Sequence, residues 1–99
     1  MMKHMPVLFV GHGSPMNAIE NNRFSTYWET LGEQIPRPEA VLSISAHWYT
    51  PGLRVTDVPF PKMVYDMYGF PEELYRVAYN APGAPRFAGL TKELVGENI

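Results

Sequence analysis

The sequence predicts an α/β fold in which strand-helix-strand crossover units form part of a mostly parallel sheet flanked by helices. Three observations lead there. Residues 6–10 (PVLFV) and 40–45 (AVLSIS) are short continuous apolar runs, the pattern of strands buried on both faces of a sheet. Between them Phe24, Tyr27, Trp28, Leu31 and Ile35 recur at helical spacing. A crossover joining two strands of one sheet is parallel and right-handed in nearly all known folds, so the carboxyl ends of both runs are expected at the same sheet edge.

The elements follow in order. The first run stops at Gly11 and enters the loop Gly11-His12-Gly13-Ser14-Pro15. Asn21, Asn22 or Ser25 is suited to cap the helix that follows, because a short polar side chain can accept from the orphan N–H groups of its first turn. Pro36 and Pro38 end that helix. The second run leads into Ala46-His47-Trp48, and a turn at Pro51-Gly52 precedes a weakly alternating third strand over residues 53–58. Residues 59–69, rich in Pro, Met and Tyr without a clear period, read as a packed loop. Pro71 then suits the first position of a helix, with Glu72 and Glu73 at the positive end of its dipole and Leu74, Tyr75 and Ala78 facing inward. A final helix is expected from near Pro85, with Phe87, Leu90, Leu94 and Val95 on its apolar face. An alternating α/β chain would next supply another strand, so residues 1–99 read as a single domain that is the N-terminal part of a longer α/β catalytic domain.

Composition narrows the function. A hydrophobic share of 45% is that of a folded domain and not of a disordered tail. Lys and Arg total 8 against 10 Asp and Glu, with no basic cluster among the aromatics, which speaks against nucleic acid as a partner. No apolar run approaches the roughly 20 residues that span a bilayer, and no secretory signal is recognisable at the start. A cytoplasmic protein that does not engage a membrane is therefore expected. With no Cys, thiolate ligands and disulfides are excluded, and a metal would have to be held by imidazole and oxygen.

His12 and His47 each follow a predicted strand, one crossover unit apart, at the edge where open α/β sheets bind ligands. Two imidazoles there are candidate ligands to one divalent ion, each with its second ring nitrogen held by an acceptor. Ser14 and Ser45 are close enough in sequence to support them, Trp48 is a candidate pocket wall, and Asp66 a candidate base or ligand. Plainer readings stand beside these. A His after a strand is more often a hydrogen-bonded loop residue, a Trp more often core, and a loop Asp more often a turn cap. His4 reads as exposed and idle, and Glu72 and Glu73 are explained by the helix start.

The segments Gly11-His12-Gly13-Ser14-Pro15-Met16-Asn17, Ser45-Ala46-His47-Trp48, Tyr65-Asp66-Met67-Tyr68-Gly69-Phe70-Pro71 with Leu74-Tyr75, and Ala81-Pro82-Gly83-Ala84-Pro85 occur in this order over nearly the whole chain. Together they resemble the class III extradiol ring-cleavage dioxygenases, in the bacterial and plant branch named for 4,5-DOPA dioxygenase. The resemblance implies a non-haem Fe(II) enzyme that opens a catechol ring beside its two hydroxyls with dioxygen, and it implies His12 and His47 as metal ligands. It places the remaining ligand and the acid-base His in the family's later chain, beyond residue 99, so no catalytic acid or base is assigned here and the 99 residues alone are expected to be inactive. Some members carry His at the position of Tyr65, and no role is carried over to it. Fe(II) needs open positions for a chelating diol and dioxygen, which about three protein ligands on one face leave. Zn(II) would fit the same imidazoles but has no redox chemistry.

Two competing functions have a basis in the sequence. Some tetrapyrrole metal chelatases also run an apolar strand into a His-Gly-Ser loop, although Ser45-Ala46-His47-Trp48 does not suit them. A non-catalytic fragment or binding module is the other. A histidine phosphatase would want Arg before the loop His, where this chain has Gly11.

Overall fold

The computed structural model describes residues 4–96. Among them are two α-helices, α1 over Arg23–Gln34 and α2 over Pro85–Val95, and two 3₁₀ turns over Pro15–Ala18 and Glu72–Arg76. No β-strand occurs among the described residues, which overturns the expected parallel sheet and its crossover units. The runs 6–10, 40–45 and 53–58 have no ladder partner. The first two are not covered either: Phe9 is 103% exposed and Ile44 93%. An apolar run records a tendency to be buried, but a strand also needs a neighbour about 4.8 Å away to take its N–H and C=O groups. The described residues supply no such neighbour.

The helices follow their sequence signals closely. Asn22 caps α1, its Oδ1 accepting from the N–H groups of Phe24 and Ser25 at 2.9 Å each. Ser25 Oγ in turn accepts from the Asn22 N–H at 3.0 Å, so two of the candidate caps act as one capping box. The helix ends at Ile35, directly before Pro36. Trp28, Leu31 and Ile35 form a half-buried stripe, whereas Phe24 and Tyr27 on the same expected face are exposed.

Pro85 opens α2 at its first position and Gly96, at φ 97°, closes it. Its inward residues are Phe87, Ala88 and Thr91, and the expected Leu90 and Leu94 point to solvent. The segment behind Pro71 is a 3₁₀ turn and not the expected α-helix. Pro71 is its cap, Leu74 is buried to 2% exposure, Tyr75 is half-buried, and Ala78 lies outside it and exposed. Glu72 and Arg76 pair at 2.8 Å across one turn, but both are exposed, which limits the pair to about 0.5 kcal/mol.

The chain divides into two units, Met1–Glu39 with Met67–Val77 and Ala40–Asp66 with Ala78–Ile99. In the first, α1 meets the turn Pro15–Ala18, which in turn meets Glu72–Arg76 and its buried Leu74. The Tyr75 hydroxyl donates to the Met67 carbonyl (3.3 Å) and accepts from the Phe70 N–H (3.4 Å), spanning the bend at Gly69, whose φ is 81°. In the second unit, Gly83 donates its N–H to the Pro59 carbonyl at 2.8 Å, and the Tyr79 N–H reaches Met63 Sδ at 3.4 Å. The turn expected at Pro51-Gly52 is present, with Gly52 at φ 73° and the Thr50 hydroxyl donating to the Gly52 carbonyl at 3.0 Å. Among the described residues, no helix is long and apolar enough to cross a membrane.

Candidate metal-ligand site

His12 lies in the first unit, in an exposed loop and not at a strand end. Its Nδ1 is 2.8 Å from the Gly13 carbonyl. A carbonyl only accepts, so Nδ1 is the donor in this contact. The loop is shaped by its neighbours. Gly13 has φ 66°, a region that favours glycine, and a side chain there would crowd the Asn17 amide at 3.3 Å. Ser14 caps the turn Pro15–Ala18 by accepting from the Met16 N–H at 3.1 Å.

Asn17 is a positional residue that sequence reasoning passed over. Its Nδ2 donates to the His12 carbonyl at 2.8 Å, and its Oδ1 accepts from Asn22 Nδ2 at 2.6 Å. A chain of amides thus runs from the His12 backbone to the cap of α1. The signal was a short amide side chain just after a Ser-Pro turn, with both of its partners five residues away.

His47 lies in the second unit, inside the tight turn closed by the Trp48 N–H on the Ser45 carbonyl at 3.3 Å. Ser45 Oγ accepts from the His47 N–H at 3.1 Å. Both serines expected to support the imidazoles therefore hold backbone instead. The His47 ring meets Asp66, with Nδ1 to Oδ2 at 3.3 Å and the two side chains 55% and 46% exposed. Asp66 thus meets His47, and the turn-cap reading of this residue gains no hydrogen bond to support it. Trp48 is 49% exposed and is not core.

These arrangements fit a metal in one respect and not in another. Both rings present Nδ1 to an oxygen acceptor, the arrangement metal-binding histidines use to fix their tautomer and raise ligand basicity. Imidazole nitrogen suits Fe(II) and Zn(II) alike. However, no group of three His, Cys, Asp or Glu able to hold an ion occurs among the described residues. The absence of strands among those residues also removes the shared sheet edge from which the two histidines were first paired; what supports each now is its own local geometry.

Comparison with known proteins then decides the kinship. Over 91 residues, 92% of its length, the chain is 47% identical to the 4,5-DOPA dioxygenase extradiol of Escherichia coli (strain K12). It is homologous to part of a 4,5-DOPA extradiol dioxygenase. The protein of that name from Beta vulgaris is 40% identical over 90 residues, 88% of this chain. A further relative, Dioxygenase tasH of Hapsidospora irregularis, is 32% identical over 94 residues, 84% of this chain. These alignments take in 34%, 34% and 29% of the three relatives, so the chain spans about a third of the length of the curated relatives it matches. No family model matches the chain, and no solved structure matches it significantly. The names of these 4,5-DOPA dioxygenase relatives do not favour the chelatase reading.

Proposed function

We propose that this chain is part of an extradiol dioxygenase that opens the ring of a DOPA-like catechol with dioxygen, and that His12 and His47 are two ligands to its Fe(II). The observation that carries the activity is the 47% identity to a 4,5-DOPA dioxygenase extradiol over nine-tenths of the chain. The ligand assignment is supported by the oxygen acceptors facing Nδ1 of each ring, the kind of contact that orients a metal-ligating imidazole. Fe(II), when bound, would supply the redox chemistry and the open positions for diol and dioxygen. In this chain the Gly13 carbonyl faces Nδ1 of His12 and the Asp66 carboxylate faces Nδ1 of His47. No third ligand and no acid-base His is assigned among the described residues. Zn(II) would occupy the same nitrogens and give an inert form. A cytoplasmic location is part of the same reading.

The test is a chimera in which these 99 residues replace the matching segment of the Escherichia coli relative. Loaded with Fe(II) and supplied with DOPA and air, it should consume dioxygen and form a yellow ring-opened product. A folded, iron-loaded chimera that leaves catechols untouched would overturn the reading.

A further inference from the structure

Resting on that reading, we propose that Asp66 is a positioning residue: its carboxylate holds the His47 imidazole with Nδ1 protonated, so that Nε2 is the nitrogen this residue offers to a metal. The juxtaposition is the Nδ1–Oδ2 contact of 3.3 Å within one unit. The two residues reach it from different places, His47 from the turn after residues 40–45 and Asp66 from the loop after residues 59–65. The His47 backbone is already held, since Ser45 Oγ accepts its N–H at 3.1 Å and the Trp48 N–H closes the turn on the Ser45 carbonyl. What such a turn does not fix is the ring itself, with two side-chain torsions and two neutral tautomers. A carboxylate facing Nδ1 selects among both. It accepts only, so the proton must sit on Nδ1, and its negative charge makes the opposite nitrogen a stronger donor to a cation. At His12 the acceptor facing Nδ1 is the carbonyl of its own neighbour Gly13, at 2.8 Å. The two rings thus meet an acceptor at the same nitrogen by different means, and at His47 it is a side chain that mutation can remove.

The test reads the tautomer directly in the 99-residue chain. Long-range proton–nitrogen correlations, recorded without metal and above the ordinary imidazole titration range, show which ring nitrogen of His47 carries hydrogen. Wild type is expected to hold Nδ1–H, and Asp66→Ala to move the population toward Nε2–H. Asp66→Asn, whose amide N–H can donate to Nδ1, should favour Nε2–H as Asp66→Ala does, whereas Asp66→Glu, which keeps an accept-only carboxylate, should retain Nδ1–H and separates positioning from mere loss of structure. In a Zn(II) titration followed on the same resonances, Asp66→Ala should weaken binding about 10–100-fold and Asp66→Glu less. A His47 that carries Nε2–H in wild type, or a tautomer indifferent to Asp66→Ala, overturns the proposal. If the tautomer responds to Asp66→Ala but His47→Ala binds Zn(II) as tightly as wild type, the pairing stands and the ligand assignment of the preceding section falls.

Discussion

Gly83 donates its backbone N–H to the Pro59 carbonyl at 2.8 Å and lies so close to the Val58 carbonyl that a Cβ at this position would overlap it. Backbone, not a flexible side chain, is what stands in the way. Gly83→Ala must therefore push two chain segments apart, and it is expected to destabilise the second unit by about 1–3 kcal/mol, as overpacking does. Urea unfolding followed by the fluorescence of Trp48, which lies in that unit, checks it. An unchanged midpoint would show that the close approach is not maintained in solution.

Asn17 joins the His12 loop to the cap of α1 by donating to one and accepting from the other. Asn17→Asp keeps the size but replaces the donor with an acceptor, setting a carboxylate against the His12 carbonyl. The loop hydrogen bond, worth about 1 kcal/mol, should be lost. Exchange of the Gly13 and Ser14 amides should quicken, while the acceptor for Asn22 Nδ2, and with it the link to the cap of α1, is kept. Equal protection in wild type and Asn17→Asp would remove Asn17 from its proposed place.

Gly32 lies inside α1, and a Cβ there meets nothing within 4 Å. Gly32→Ala should raise the helix content and stabilise α1 by about 0.5–1 kcal/mol, because alanine has less backbone freedom to lose. Far-ultraviolet circular dichroism through a thermal scan reads both effects. It is the opposite outcome to Gly83→Ala for the same chemical change, and the surrounding space alone accounts for the difference.

For the chimera, His12→Ala and His47→Ala should each abolish both iron retention and dioxygen consumption, whereas His4→Ala should leave both near wild type. His4 is exposed and lies outside the loops that carry His12 and His47. Removing iron with a chelator should stop turnover, and Fe(II) but not Zn(II) should restore it. Normal iron content and rate in the His12 and His47 variants would make these residues structural.

What was legible in the sequence is what short-range chemistry decides. A cap of α1 among Asn21, Asn22 and Ser25, the stop at Pro36 and the start of α2 near Pro85 are settled within a turn or two of chain, where donor and acceptor are neighbours in sequence. The Gly13 and Gly52 turns are of the same kind, and so is the order of motifs that carried the kinship. Tertiary structure decided whatever needed a distant partner. Residues 6–10 and 40–45 have the composition of buried strands, yet a ladder requires a second chain segment that composition cannot name, and none is present among the described residues. Likewise Asp66 beside His47 and Gly83 against Val58 and Pro59 follow from where the backbone returns, a property no local pattern encodes.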